Sequence, residues 1–467
     1  VLGVATGLTM EFEFGTNWSN YSHYVGDIFG APLAIEGLMA FLLEATFVGL
    51  MFFGWDRLSK IGHLLVTFLT ALGTNFSALW ILIANGWMQN PVGATYNPDT
   101  MRMEVTDFYS VLFNPVAQAK FVHTVSAGYV CGSAFVLGVS AWYLLKGRHI
   151  QLARRSIAVA SAFGLAGILS AIVLGDESGY DASENQKMKM AAIEAMWETE
   201  PAPASFTLFG FPDQATHETK WAIHIPYVMG LIGTRSLTQE ILGIDQLVAR
   251  ARDRVRNGIT AYDLMMQIQA QRAAGVDPAL LAQFRQYEQD LGYALLLKAR
   301  VEDPRSATEA QIEQAANDTV PHVWPIFWGF RIMVGMGFGL VGVMAYFFWR
   351  ASFCRMSFPR WALWLSVVAT PAPWIAIEMG WIVAEYGRQP WTVAGVLPTA
   401  LSVSNLTFAE VAVTLTGFFL LYTALLVVEM GLMFKAIGKG PQEDVALTEA
   451  WMAQHESRLS GRAEVAK

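Results

Sequence analysis

The sequence predicts an all-α integral membrane protein, a polytopic helical bundle with one large extramembranous domain set into it, and three observations predict this. Of the 467 residues, 54% are hydrophobic and only 15% are charged, where soluble domains carry about a quarter charged residues; mean hydropathy is +0.36. The apolar residues gather in runs long enough to cross a bilayer. The Lys and Arg residues between those runs sort to alternate connections.

The chain opens on VLGVATGLTM, about ten apolar residues where a ~30 Å hydrocarbon core needs roughly twenty. With no basic stretch before it and no small-residue cleavage site after it, it does not read as a signal peptide but as the second half of a span begun upstream. Full spans follow at residues 29–53, 62–86, 117–145, 156–175, 325–349, 361–384 and 409–434. Arg57 and Lys60, then Lys146, Arg148, Arg154 and Arg155, then Arg350, Arg355 and Arg360, then Lys435 and Lys439 fall in every second connection, which the positive-inside rule puts in the cytoplasm. The short connections on the opposite side hold only Arg102, between residues 87 and 116, and Arg388, between Glu385 and Phe408. The organisation is thus a partial helix and four spans over 1–175, an extracytoplasmic domain over 176–324, three spans over 325–436, and a cytoplasmic tail over 437–467.

The domain over 176–324 is polar and charged, with helical stretches such as QYEQDLGYALLLKARVED. It exceeds what a connection needs, which points to ligand binding or partner contact. The absence of an internal repeat in the sequence gives no support to an inverted-repeat transporter. A net charge of −8 and the lack of a basic tract exclude a nucleic-acid partner. Cys131 lies in an apolar run and Cys354 in a short basic loop, so neither a disulfide framework nor a zinc cluster is expected.

Ionisable groups inside spans are costly and mark proton routes, ion sites or cofactor ligands. Glu36 and Glu44 are the charges of the run 29–53; on a regular helix they stand about 12 Å apart along the axis and roughly 80° around it. They line one channel-facing side, or are neutral acids bonded to a neighbouring helix. His123 sits about two turns inside the outer end of its span, where a neutral imidazole ligates a metal or haem iron or bonds a facing carbonyl. Met333, beside Arg331, reads by itself as core filler. Glu378 and Glu385, two turns apart, form a carboxylate pair on one face, or Glu385 alone pairs with Arg388 at the interface. His23, His63, His149, His217, His224, His322 and His455 read as surface or structural residues.

Several continuous segments carry more: GVATGLTMEFEFGTNWSNYSHYVGDIFGAPLAIEGLMAFLLEATFVGL, NPVAQAKFVHTVSAGYV, VLGDESGY, QKMKMAAIEAMWETEPAPASFTLFG and WIVAEYGRQPWTVAGVLPTA. They resemble subunit I of the cytochrome bd quinol oxidases, over nearly the whole chain, with GRQPW and QKMKMAAIEA the most specific. The resemblance implies a fold of nine transmembrane helices, seven and a half of them present here, and a quinol loop in its long form. It implies two haem b and one haem d, and electron flow from ubiquinol or menaquinol to O2. It also implies a second oxidase subunit, a small single-helix subunit, and a place in the bacterial cytoplasmic membrane with the quinol loop periplasmic and the C-terminus cytoplasmic.

Carried over by residue, His123 and Met333 resemble the axial ligands of the low-spin haem b and Glu385 that of the high-spin haem b. Arg331 is similar to the arginine that steadies a haem propionate or the reduced haem, while Arg388 and Trp391 are similar to groups packed about the haem pair. Lys189 and Glu194 resemble the quinol-contacting pair, which charge patterning alone would leave as a solvated surface. Glu36, Glu44 and Ser77 resemble the proton route from the cytoplasm. The family's haem d ligand stands on a first helix upstream of Val1, so the chain as given is expected to hold low-spin haem b without that ligand. The rival expectation from the residues is a transporter or proton channel, with Glu36 and Glu44 as coupling carboxylates and no redox centre; an inactive oxidase fragment is the third.

Overall fold

The computed structural model describes residues 2–273, 275–353 and 355–441; Cys354, His455 and the tail from 442 onward lie outside the described residues. One compact unit runs over Gly3–Leu406 and a second starts at Thr407.

The first unit begins with α1 (Leu2–Thr16) and α2 (Ser19–Ile35), after which Glu36–Phe41 winds as a π-helix into α3 (Leu42–Phe53). Ser19–Phe53 is therefore one span of 35 residues, starting well before the apolar run expected at 29. The extra turns carry Tyr21, Val25 and Ile28, which are buried against residues of α4 and of the polar domain, so a tertiary contact extends the helix past its hydrophobic stretch. The π segment also replaces the regular-helix offset expected between Glu36 and Glu44, because wider turns shift every later residue around the axis.

Next come α4 (Lys60–Gln89), a two-stranded ribbon of β1 (Ala94–Asn97) and β2 (Arg102–Val105), the short α5 (Phe108–Leu112), then α6 (Pro115–Lys146) and α7 (Ile150–Asn185). Ser59 starts α4 by accepting from Gly62 N–H at 3.1 Å, and Asn114 starts α6 by accepting from Val116 N–H at 3.1 Å with Pro115 at the first helical position, both favoured N-terminal arrangements. A Cβ on Gly86 would lie 2.6 Å from Ala117 Cα, so α4 and α6 touch backbone to backbone and only glycine fits there.

The polar domain consists of α8 (Lys187–Glu194), the hairpin β3 (Phe206–Asp213) and β4 (Glu218–Ile225), α9 (Ile244–Gln271), α10 (Pro278–Tyr287), α11 (Leu291–Leu295) and α12 (Glu309–Asn317). The stretch QYEQDLGYALLLKARVED is not one helix but α10, α11 and flanking 3₁₀ turns, held by Arg254 on α9 through Asp290 at 2.5 Å and Tyr293 at 2.9 Å. Two cores bind this domain to the spans. One joins Met265, Ile268 and Phe284 to Trp87 and Ile28; the other joins Ala191, Ile244 and Val248 to Val323, Ile326 and Phe327.

The chain returns through α13 (Val323–Ser352), α14 (Arg360–Ala369) and α15 (Ala372–Glu385), then a ribbon of β5 (Trp391–Val393) and β6 (Leu397–Pro398) and the turn α16 (Thr399–Ser402). The single span expected over 361–384 is present as Arg360–Arg388, with one turn at Thr370 and Pro371 between α14 and α15, since a proline supplies no N–H to the turn before it. The second unit holds α17 (Phe408–Lys439), started by a reciprocal cap in which Thr407 and Glu410 serve each other's backbone N–H groups. Among the described residues seven helical segments are long and apolar enough to span a membrane, and the fold is all-α apart from three small antiparallel ribbons.

Candidate functional site

Of the candidate side chains, Lys189, Glu194, Arg331, Glu385, Arg388 and Trp391 come together where the polar domain meets the ends of the spans, and α8 is the joint. Its residues from Lys189 to Glu194 are all buried, and it packs on α7, α9 and α13. A charge so placed must find partners or lose its ionisation.

At one end of α8, Lys189 Nζ donates to Gln89 Oε1 at 2.6 Å, Gln186 Oε1 at 2.6 Å and the Ala384 carbonyl at 2.8 Å. All three acceptors are neutral. Burial pushes the Lys189 ammonium well below its usual range, Lys120 and Arg388 push the same way, and Glu385 opposes them. Gln89 Nε2 in turn donates to Glu385 Oε1 at 3.2 Å, which also receives Asn85 Nδ2 at 3.1 Å and pairs with Lys120 at 3.4 Å. Glu385 Oε2 pairs with Arg388 at 2.7 Å. One polar chain thus runs from Lys189 to Glu385.

At the other end, Glu194 Oε2 accepts from Thr207 N–H at 3.0 Å and pairs with Arg331 at 3.3 Å. The two side chains are 2% and 7% exposed, so the pair is sealed from water. Arg331 further donates to the Ile193 carbonyl at 2.7 Å, to the Phe327 carbonyl at 2.9 Å and to the Thr207 carbonyl at 2.8 Å, fastening α8 and β3 to α13. Burial pushes the Glu194 carboxyl up to about 7, against the pull of Arg331 and Thr207 N–H and with the help of Glu200.

His123, on α6, donates Nδ1–H to the Ala171 carbonyl of α7 at 2.8 Å; a carbonyl only accepts, so Nε2 keeps its lone pair. Met333 lies on α13 beside α15, where a Cβ on Gly380 would sit 3.0 Å from its sulfur. Arg388 Nε donates to the Trp391 carbonyl at 3.3 Å, and Trp391 packs on Tyr293 with ring centres 5.0 Å apart. Ser77 donates to Glu36 Oε1 at 2.7 Å. Glu44 is eight residues on, where α3 crosses α4 beside Gly73, and is not a hydrogen-bond partner of Ser77 among the described residues. Glu378 is exposed on α15, and Glu385 at the end of that helix is half-buried.

The donor set suits a planar iron cofactor: a histidine with a fixed tautomer and open Nε2, a thioether and a carboxylate, all of them haem-type donors. An independent sign is Arg388 Nη1, a buried cation nitrogen with no hydrogen-bond partner among the described residues, as a site for an acidic cofactor edge would leave it. Beside this region opens a cavity of about 710 Å3 whose walls include Gln89, Gln186, Lys189, Arg254, Arg388 and Trp391, within the range of small-molecule sites. Lys189 is on its wall and Glu194 is not.

Sequence reasoning missed Gln89, Asn85, Gln186, Thr207 and Lys120. Lys120 was findable, as a lysine inside an apolar run is as unusual as a glutamate there. Gln89 and Asn85 gave no such signal, because an uncharged amide near a helix end is unremarkable until its partners are known.

The sequence profile for cytochrome bd terminal oxidase subunit I matches residues 1–441. The chain is 49% identical over 441 residues to the Escherichia coli (strain K12) protein named cytochrome bd-II ubiquinol oxidase subunit 1, covering 94% of this chain and 85% of that one. It is 33% identical over 444 residues to cytochrome bd ubiquinol oxidase subunit 1 of Bacillus subtilis (strain 168), covering 95% and 82%. Among solved structures it resembles the bd oxidase of Geobacillus thermodenitrificans with a TM-score of 0.72 at 25% identity, over 94% of this chain and 84% of that one.

Proposed function

The chain belongs to the cytochrome bd terminal oxidase subunit I family, and from that premise we propose how its own residues serve the reaction. It is a haem-bearing, multi-pass subunit of a terminal respiratory oxidase in the bacterial inner membrane, a quinol:oxygen oxidoreductase working in a complex with other subunits. The match over 1–441 sets aside the transporter reading.

The finer assignments are our reading. The polar domain over 176–324 is the quinol loop and faces the periplasm, the C-terminus is cytoplasmic, and the partners are a second subunit and a small single-helix subunit. The observation that carries the mechanism is that α8 seats one charged side chain against each of two spans, Lys189 beside Glu385 on α15 and Glu194 on Arg331 of α13. Lys189, on the cavity wall, turns an N–H from one of its three present acceptors, Gln89, Gln186 and the Ala384 carbonyl, to a quinol oxygen, ubiquinol or menaquinol, when the quinol docks. Glu194, poised at about 7 but off the cavity wall, takes up a quinol proton by relay rather than by direct contact, since a base near the working pH accepts and releases protons readily.

Two haem b and one haem d, when bound, supply the electron relay and the centre at which O2 is reduced. His123 Nε2 and the Met333 thioether are the donors to one haem b, and the Glu385 carboxylate to the other. Arg331 and Arg388 neutralise acidic cofactor edges and Trp391 packs beside them. Glu36, with Ser77 as its hydroxyl partner, and Glu44 hold and pass protons from the cytoplasmic side. Quinol protons leave on the outer side, so charge separates without pumping.

The test is a set of variants in the assembled complex, read by reduced-minus-oxidised absorption and by quinol-driven oxygen uptake. His123→Ala and Met333→Leu should each remove the low-spin haem bands. Lys189→Ala and Glu194→Ala should slow quinol oxidation with the bands intact; retained low-spin bands in both ligand variants would sink the ligand assignment.

A further inference from the structure

The polar domain carries one face that is not polar. Leu208 and Phe211 on β3, Trp221 and Ile223 on β4, and Leu231 and Leu237 just beyond are all exposed. Trp221 is 81% exposed and holds a positive φ of 51° where the ladder slips between the Phe209–Ile223 and Phe211–Lys220 pairs. A bulky residue rarely adopts that backbone, so the bulge turns an indole outward against the local preference. Such outward display of large apolar groups marks an interaction surface.

Several of the hairpin's polar groups are held by partners within the domain or on α13. Lys220 pairs with Asp213 at 2.9 Å, His217 with Asp245 of α9 at 2.8 Å, and Gln214 accepts from Val323 N–H at 3.2 Å. The tip is thus fastened inward and the apolar face is left over. Its position says what meets it. Phe209 and Phe211 pack on Trp328 of α13 with ring centres 5.3 and 5.9 Å apart, while Arg235 fastens the following segment to the end of α7 through Glu177 and over the Tyr180 ring at 4.3 Å. On those same spans the exposed Trp324 and Ile172 continue the apolar surface. The face therefore continues the exposed apolar flanks of two membrane helices, at the level where Trp and Tyr concentrate in membrane proteins.

We propose that the outward face of the β3–β4 hairpin, with residues 226–237, lies in the headgroup and upper acyl layer of the bilayer and anchors the polar domain to the membrane. Lipid is the occupant because the face is apolar and aromatic and extends the exposed apolar surface of two membrane-spanning helices, as interfacial amphipathic elements do. The anchor bears on the proposed reaction without depending on it: the opposite edge of the same hairpin supplies Thr207 N–H to Glu194, so the bilayer surface and the proton acceptor are two sides of one ribbon.

The test uses the assembled oxidase with Cys131 and Cys354 replaced by serine. A fluorescent label is placed at Trp221→Cys, Leu231→Cys or, as a reference elsewhere on the domain, Arg272→Cys, and each complex is reconstituted in phosphatidylcholine vesicles with brominated acyl chains. Labels at 221 and 231 should be quenched several-fold more by brominated lipid than by aqueous iodide, and the label at 272 the reverse. Quinol oxidation in each preparation verifies that the complex is folded. Dominant iodide quenching at 221 and 231 would mean a water-facing hairpin, and protection from both quenchers would mean that another protein chain covers it; either result overturns the proposal.

Discussion

Lys189 and Glu194 occupy the two ends of one eight-residue helix, both are buried, and they are satisfied in opposite ways. Lys189 is surrounded by neutral oxygens, so its charge is solvated but not matched. Glu194 has a full counter-charge in Arg331 and yet is pushed up to about 7. The difference teaches that a sealed ion pair does not guarantee an ionised carboxylate, because desolvation competes with the Coulomb gain. It also makes the two ends separately breakable.

The largest effect is expected at Arg331. Arg331→Met strips Glu194 of its counter-charge and leaves the Ile193 and Thr207 carbonyls without their donor, and removing one partner of a buried pair costs about 3–5 kcal/mol. The complex should lose thermal stability and most quinol oxidation. Adding Glu194→Gln should restore much of the stability, since the unmatched charge is gone, but not the turnover. A double variant no more stable than Arg331→Met, by thermal melting of the complex, would mean that the pair is not the element that matters.

The second effect is a pH dependence whose sign differs at the two ends. A carboxyl raised from 4.5 to about 7 binds the extra proton in the folded state between those values, so its contribution to stability falls as pH rises through that window and is level above it. Lys189 is lowered, so between its folded value and the ordinary 10.5 the unfolded chain holds the extra proton, and stability rises with pH there. Glu194→Gln should flatten the acid-side slope and leave the alkaline one, and Lys189→Met the reverse. In turnover, uptake of a quinol proton by Glu194 should strengthen as pH rises through about 7, a limb that Glu194→Gln abolishes. Identical profiles in both variants would show that the two ends titrate as one system.

These contrasts separate what was legible in the sequence from what was not. The spans were legible because about twenty apolar residues are needed whatever their neighbours. Their ends and irregular turns were not: α2 gains turns from buried Tyr21 and Val25, the Glu36–Phe41 turn is wider than regular helix, and Pro371 sets a turn within the span Arg360–Arg388. Lys189 and Glu194 came from resemblance alone, as charge patterning would have left them in water. That they face different spans follows from where α8 is docked, which local sequence does not encode. The hairpin was missed because its alternation is blurred by bulges and by outward aromatics.

A smaller effect is expected where Gln89 links the Lys189 end to Glu385. Its amide accepts from Lys189 and donates to Glu385, so Gln89→Leu removes a bond from each charge and leaves other partners to both. A hydrogen bond to a charged group is worth about 1.5–3 kcal/mol, tempered here by the remaining donors. Quinol oxidation should fall several-fold while the low-spin haem bands persist. The high-spin haem b bands should shift, because Glu385 would be less firmly held. Unchanged high-spin bands and rate together would detach the two groups and leave Gln89 a packing residue.

The smallest effect belongs to Ser77, and it extends the comparison to a third carboxylate. Glu36 has neither the counter-charge of Glu194 nor the several amide donors of Glu385; among the described residues its hydrogen-bond partner is the Ser77 hydroxyl at 2.7 Å. Loss of one neutral hydrogen bond costs about 0.5–1.5 kcal/mol, so Ser77→Ala should leave assembly and haem spectra intact and slow oxygen uptake only a few-fold, if Glu36 passes protons and the hydroxyl helps to hold its geometry. Ser77→Thr, which keeps the hydroxyl, should recover most of the rate. A deuterium-solvent effect on uptake that grows in Ser77→Ala and returns to normal in Ser77→Thr would place the slow step at this proton transfer. An equal loss in both variants would mean that the site tolerates no change of volume, and the hydroxyl would then have no part in the route.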